Sequence, residues 1–314
     1  MGNGDVIINK LFEWNNSEPF SIAFLPYKRA MWDSMQSVYA SAVRHNLSAY
    51  IMPLPYYTKL KGNRKKYNLD RNYSELLYNV DFLNEMNMDY VVIHNPYDGE
   101  NSLTEVDSRF WSNKLKTKIV YIPYYILDAS PVSLINLPGV YNADYIFLHT
   151  ENDCNRFRAV LGERASNKKI FASGSPKVDR LFGNHHFNIS KVLAEQFFNA
   201  PEIVLMVSSV LPFLQDPGTK IKQYYSIITG ELNKGNFVIY RPHPLLEDMV
   251  QKMCSDVAYG EYMKLVEFVT YNDNCLLDKS NDLAGTISMC SKLISDRSSV
   301  ITLWKYTGKP YEMI

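Results

Sequence analysis

The sequence predicts an α/β protein built as two Rossmann-like domains, each a parallel sheet with helices on its faces. Three observations predict it. Short apolar runs of strand length recur along the 314 residues and alternate with amphipathic stretches of helical spacing. Each run closes in polar or aromatic residues, as the ligand-binding edge of an open parallel sheet does. The length is enough for two such cores.

The elements follow in order. Ser21–Leu25 is an apolar strand, and Ala30–His45 a helix whose Met31, Met35, Val38 and Ala42 fall at three- and four-residue steps. A second strand, Ala49–Leu54, ends in Pro55-Tyr56-Tyr57. From Thr58 to Asn72 the chain carries Lys59, Lys61, Arg64, Lys65 and Lys66 without periodic apolar residues, which predicts a loop. Such a segment is either a solvated excursion or a basic lip for anionic lipid or a polyphosphate acceptor. Tyr73–Met86 reads as a helix, and Asp89–His94 as a strand opening into Asn95-Pro96-Tyr97-Asp98. Lys118–Pro123 and Tyr145–His149 are the next strands, and Asn152–Leu161 the next helix. Residues 1–20 show no clear pattern. All of this is assigned to a first domain, residues 1–165.

The second domain, residues 166–314, repeats the alternation. Its expected strands begin near Ile170 and continue at Ile203–Val207, Phe237–Tyr240, Val266–Thr270 and Lys292–Ser295. Helices are expected at Ser190–Asn199, Lys220–Leu232, Leu245–Met253 and Leu283–Cys290. Two such domains facing across a cleft make the cleft the default ligand site.

Composition excludes some classes. With 46% hydrophobic and 21% charged residues the chain is globular, and a formal net charge of zero argues against nucleic acid as a main partner. The 23 tyrosines suit either a core or a cleft that must be apolar and hydrogen-bonding together. Cys154, Cys254, Cys275 and Cys290 are widely spaced, as reduced thiols of a cytosolic protein are. No signal peptide is visible, and the longest apolar run, Ile119–Leu127, is broken by Pro123 and too short for a bilayer. There is no Asp-x-Asp, Gly-x-Gly-x-x-Gly, Walker lysine loop or Gly-x-Ser-x-Gly, so no metal, dinucleotide cofactor or ordinary hydrolase chemistry is indicated.

The chemistry-bearing motifs sit at strand ends. Leu293-Ile294-Ser295-Asp296-Arg297-Ser298-Ser299 runs from a strand through a hydroxyl-rich turn into a helix. Such a turn is either a plain helix cap or a phosphate site made of serine hydroxyls and unpaired backbone N–H groups. Gly174-Ser175-Pro176-Lys177-Val178-Asp179 follows the strand near Ile170, and Arg241-Pro242-His243-Pro244 closes the strand at Phe237. Thr307-Gly308-Lys309-Pro310 lies just past the serine helix. His243 either caps its turn or reaches phosphate as a cationic donor or general acid. Arg241 either joins it or pins the turn by a salt bridge. Lys177 meets phosphate or solvent, and Asp282 reads first as the N-cap of the helix before the serine strand. Asp296 shapes its own loop.

In this order the motifs resemble the C-terminal half of the CDP-glycerol glycerophosphotransferase family, bacterial enzymes that build teichoic-acid and capsule polymers. The resemblance spans about residues 168–310: Gly174 to Asp179, Arg241 to Pro244, and Asp282-Leu283 through Ser298-Ser299 to Gly308-Lys309-Pro310. It implies the glycosyltransferase-B (GT-B) architecture and a CDP-activated polyol donor with no cofactor. It also implies an acceptor hydroxyl on a cell-surface glycan or lipid-linked precursor, CMP as the leaving group, and work on the inner face of the membrane, with Lys59–Lys66 as a peripheral contact. Ser298, Ser299, Arg241, Lys177 and Gly174 would hold the donor phosphates and His243 would act on them; Gly308 and Lys309, which read first as a turn after the helix, would with Asp282 lie secondarily toward the nucleotide. The resembled fold usually adds a further helix after Gly-Lys-Pro, returning to the first domain.

One departure stands out. Family members carry a His-Gly-Thr-Pro-like motif whose histidine looks like the general base, and the corresponding strand end here reads Tyr121-Ile122-Pro123-Tyr124-Tyr125. His94 and Asp98, with Asp128, are the substitutes expected to deprotonate the acceptor. A glycosyltransferase of the same architecture using a nucleotide sugar is one alternative. A non-catalytic nucleotide- or glycan-binding homologue is another, kept open by the missing histidine.

Overall fold

The computed structural model describes residues 2–26, 29–59, 65–69, 80–97, 117–126, 132–183 and 189–314. They form two compact units, Met1–Arg180 and Leu181–Ile314. Each is Rossmann-like, a parallel sheet covered by helices.

The first unit opens with helix α1 (Asn3–Trp14), followed by strand β1 (Ser21–Phe24), a 3₁₀ turn (Arg29–Ser34), α2 (Gln36–Arg44) and β2 (Ser48–Ile51). Next come β3 (Tyr56–Lys59), β4 (Lys65–Asn68), α3 (Val80–Glu85), β5 (Tyr90–Ile93) and β6 (Lys118–Tyr121). It ends with α4 (Val132–Ile135), α5 (Pro138–Tyr141), β7 (Tyr145–Leu148), α6 (Glu151–Leu161), β8 (Lys169–Ala172) and α7 (Pro176–Leu181). The sheet has the order β2-β1-β5-β6-β7-β8, and its pairs are parallel. Alternating side chains build a core on each face, as burial on both sides of a parallel sheet requires. Ala23, Val91, Ile119 and Ile146 belong to one core, and Ile22, Phe24, Val92, Val120 and Phe147 to the other.

The second unit contains α8 (Lys191–Asn199), β9 (Ile203–Ser208), α9 (Val210–Gln215), α10 (Pro217–Asn233) and β10 (Phe237–Pro242). Then follow α11 (Leu246–Met253), α12 (Asp256–Tyr271), β11 (Cys275–Leu277), α13 (Leu283–Met289), β12 (Lys292–Ser295), α14 (Ser299–Lys305) and β13 (Tyr311–Met313). Its sheet runs β11-β10-β9-β12-β13, all pairs parallel. Met206, Val238 and Tyr240 pack against Phe213, Tyr224, Tyr262 and Leu265 from the helices.

The structure departs from the sequence reading in several places. The strand at Ile170 pairs with β7 and completes the first sheet, so the units divide after Arg180 rather than after residue 165. Val266–Thr270 lies in α12, where Tyr262, Leu265, Val266 and Val269 are buried at helical spacing, and the strand falls instead at Cys275–Leu277. Residues Tyr56–Lys59 and Lys65–Asn68 pair as an antiparallel hairpin where a loop is expected. The patternless N-terminus contains α1, which buries Ile7, Ile8 and Leu11.

Candidate functional site

In the second unit the order of strands reverses between β9 and β12. Chain connections leave that point in opposite directions, and open α/β sheets bind ligands in the crevice this creates at the carboxyl edge. Ser208 ends β9 there with Ser209 just beyond it, and Ser298 and Ser299 follow β12. Ser298 is the N-cap of α14 with no side-chain cap bond; its hydroxyl lies 3.0 Å from the Ser295 hydroxyl. Ser298 is half-buried and Ser299 exposed, and both stand with the first N–H groups of α14 at this edge of the sheet.

Asp296 holds this turn in place. It is fully buried, and its carboxylate accepts the Ser209 N–H at 3.1 Å, the Lys220 ammonium at 2.9 Å and the Tyr224 hydroxyl. Burial first, then the bond to Asp296, pushes the Tyr224 phenol well above its ordinary pKa, so it stays a donor. The sequence reading gives Asp296 local loop bonds; the structure instead ties β12 to the end of β9 and to α10. Lys220, Tyr224 and Ser209 carry no motif signal, because each joins the site through the fold.

His243 reaches the same edge from β10. Its N–H donates to the Ser208 carbonyl at 2.9 Å, and the Leu245 N–H donates to its Nδ1 at 3.2 Å. An Nδ1 that accepts a backbone hydrogen bond carries no proton, so the ring proton sits on Nε2. Desolvation lowers its pKa although the residue retains exposed surface, and the resting side chain is a neutral Nε2–H donor rather than the cationic donor expected. The capping role occupies Nδ1 and leaves Nε2–H as the ring's donor.

Other motif residues are committed to the scaffold. Arg241 pairs with Asp278 and also donates to the Ser280 carbonyl at 2.8 Å and hydroxyl at 3.2 Å. Burial raises the Asp278 pKa, but Arg241, Thr286 and Ser280 outweigh it and the net shift is downward. Of the two roles open to Arg241, the salt bridge that pins the strand end is the one present. Asp282 accepts the Gly285 N–H at 3.0 Å and is the N-cap of α13. Lys309 donates to the Ile287, Ser288 and Cys290 carbonyls at 3.2, 3.0 and 2.7 Å, closing the other end of that helix. Gly308, with φ of +67°, makes the left-handed turn that delivers Lys309 there.

In the first unit the Gly174 turn is an N-terminal clasp. Asp179 accepts the Asn3 and Gly4 N–H groups, each at 2.9 Å, and so caps α1. Gly174 has φ of +76°, and a Cβ there would lie 2.1 Å from the Asn3 side-chain oxygen. Lys177 pairs with Asp33 at 2.7 Å instead of facing solvent or phosphate. His94 is fully buried, its Nδ1 2.9 Å from the Ser34 hydroxyl and 3.2 Å from the Met31 carbonyl. Desolvation, against the Met31 bond and helped by Lys177, lowers its pKa to about 3. A ring sealed beneath the 3₁₀ turn does not reach an acceptor hydroxyl, which removes His94 from the candidate bases. Asp98, Asp128 and the side chains of Lys59–Lys66 lie outside the described residues.

A pocket opens elsewhere on the first unit, at the carboxyl ends of β6, β7 and β8. It is lined by Pro123, Tyr125, Phe147, His149, Asp153 and the Gly174-Ser175-Pro176 turn, among others. Among the described residues no group of three or more His, Cys, Asp or Glu is arranged to hold a metal ion, and no helix is long and apolar enough to cross a membrane.

No protein-family model matches the chain, and no curated protein does either. Solved structures of the same fold exist. A protein assigned as a UDP-N-acetylglucosamine 2-epimerase from Listeria monocytogenes aligns over 94% of this chain and 79% of its own, with a TM-score of 0.62 at 12% identity. The Methanocaldococcus jannaschii UDP-GlcNAc 2-epimerase in complex with UDP-GlcNAc and UDP aligns over 93% and 83%, with a TM-score of 0.58 at 13% identity. S. aureus MnaA, in a co-structure with UDP, aligns over 93% and 78%, with a TM-score of 0.56 at 13% identity. At such identities the likeness is one of fold, the GT-B architecture of two Rossmann-like domains.

Proposed function

We propose that this chain is a transferase that moves glycerol phosphate, or a related polyol phosphate, from a CDP-activated donor to a hydroxyl of a cell-surface glycan or its lipid-linked precursor, releasing CMP. The observation that carries the reading is the Ser298-Ser299 turn at the reversal point of the second sheet, braced by Asp296 and flanked by His243. The resemblance to CDP-glycerol glycerophosphotransferases supports the choice of donor. Residues lining a donor site are proposed as follows. Ser298 and Ser299 hydroxyls and the first N–H groups of α14 take phosphate oxygens, and the His243 Nε2–H adds a neutral donor. One displacement forms the bond from acceptor oxygen to phosphorus and breaks the bond to CMP. Arg241, Asp282, Gly308 and Lys309 act through the scaffold, and Gly174 and Lys177 likewise.

A second reading is a nucleotide-sugar transferase. It is favoured by the M. jannaschii and S. aureus structures, whose ligands are UDP-GlcNAc and UDP. A diphosphate grip does not by itself select what lies beyond the second phosphate. The products separate the two: incubation with CDP-glycerol should release CMP slowly even without acceptor. Release of a nucleoside diphosphate from UDP-GlcNAc, with CDP-glycerol untouched, would replace the first reading with the second. Nucleotide binding without breakdown of either donor would reject both in favour of a binding protein.

A further inference from the structure

The pocket of the first unit contains a side chain that none of the motifs accounts for. Asp153 is 4% exposed; its Oδ2 accepts the Thr150 hydroxyl at 3.0 Å, while Oδ1 is buried with no hydrogen-bond partner. Buried carboxylate oxygens in native proteins are almost always met by a donor. The pocket that Asp153 lines is therefore a place where an N–H or O–H belongs.

The chemistry of the walls selects the donor. Among the described residues no lysine or arginine lines the pocket, so a phosphate or carboxylate would meet the Asp153 carboxylate without a Lys or Arg cation to offset the repulsion. A cation is not required either. Asp153 stands in the first turn of α6, beside the positive end of the helix, and already accepts the Thr150 hydroxyl. What remains is a neutral donor, and a hydroxyl borne on carbon is the one these walls suit. Beside it, Ile122, Pro123, Phe147 and Pro176 offer apolar surface for carbon. The pocket is small and opens to solvent, so it takes a single group at the end of a ligand rather than a nucleotide.

We propose that this pocket binds a hydroxyl-bearing carbon group, a polyol terminus or the edge of a sugar, with the hydroxyl donating to Asp153 Oδ1 and its carbons against Phe147, Pro123 and Pro176. His149 lies four residues before Asp153 and lines the same pocket. The Gly174-Ser175-Pro176 turn acquires a second role as its wall. That the hydroxyl is the acceptor of phosphoryl transfer rests on the reading above; the hydroxyl site itself does not.

The test is a titration of glycerol into the full chain carrying ¹³C-labelled histidine, following the His149 ring signal, assigned by its loss in H149Q. A saturable shift is expected, with affinity at least about ten-fold weaker in D153A, the loss appropriate to a charge-assisted hydrogen bond. D153N, which keeps the shape of the side chain, is expected to weaken binding in the same direction and is read if D153A does not fold. No saturable shift, or equal affinity in wild type and D153N, would overturn the proposal. So would a crystal structure in which an ordered water on Oδ1 persists in glycerol. CMP release from CDP-glycerol, measured on the same wild-type preparation, fails only if the transfer reading fails.

Discussion

Asp282 and Lys309 hold opposite ends of one helix. Asp282 accepts the Gly285 N–H at the start of α13, and the Lys309 ammonium takes three carbonyls at its end. Asp282, which the sequence reads first as this N-cap, and Lys309, which the resemblance places toward the nucleotide, thus complete the hydrogen bonding of a seven-residue helix that leads straight into β12. The helix matters for the serine turn because β12 ends in it. Desolvation lowers the Lys309 pKa, outweighing Cys290, yet its three acceptors and the Trp304 ring 5.7 Å away keep it in place.

Replacing either residue should therefore loosen α13. Lys309→Met is expected to cost about 2 kcal/mol and Asp282→Ala about 1 kcal/mol. Faster hydrogen exchange at the Leu283–Met289 amides, in both variants, is the measurement. Unchanged exchange in Lys309→Met would mean that the ammonium is not the cap.

His94 makes the first unit sensitive to acid. Its folded pKa of about 3 lies below the ordinary value of 6.5, so between those values the unfolded chain binds more protons than the folded one. The stability contributed by the neutral ring is complete above pH 6.5 and is lost as pH falls toward 3, at up to about 1.4 kcal/mol per unit. Asp5, lowered to about 2 by Ser41 and Arg44 against its own desolvation, loses its contribution at lower pH. Urea unfolding at pH 7 and pH 5 should show a drop in wild type that is smaller in His94→Gln. An equal drop in both would remove His94 as its source.

The clasp on α1 makes the Gly174 turn intolerant of a side chain. Gly174→Ala would force a left-handed residue into the Asn3 amide, and Asp179→Ala would strip two N–H groups at the start of α1 of their acceptor. Each is expected to cost about 1–2 kcal/mol. Amide exchange across Asn3–Trp14 reads it directly, and wild-type protection in Asp179→Ala would contradict the clasp.

Much of this arrangement is legible in the sequence. Apolar runs ending in polar residues located the strand ends because burial on both faces of a parallel sheet leaves that pattern. The Ser298-Ser299 turn was legible for the same reason. Val266–Thr270 was not, since a β-branched run looks like a strand until Tyr262, Leu265 and Val269 are aligned with it on one helical face. Helix α1 escaped because its cap, Asp179, is 176 residues away from Asn3. Arg241 and Lys309 carried motif signals, yet what they touch is decided by Asp278 and by the end of α13, which only the fold brings near. Asp153 had no signal at all: its pocket needs three strand ends at once.

The serine turn is the proposed donor site. The direct measurement is a thermal-shift series with CDP-glycerol, CDP-ribitol, CMP, UDP-glucose and UDP, on wild type and on Ser298→Ala, Ser299→Ala. A ligand that binds the folded state raises its stability with occupancy, by about 2.7 kcal/mol at a hundred-fold excess over its dissociation constant. Stabilisation by the cytidine ligands in wild type, lost in the double variant, is the predicted result. Stabilisation by the uridine ligands alone, or cytidine stabilisation that survives in the variant, would contradict it.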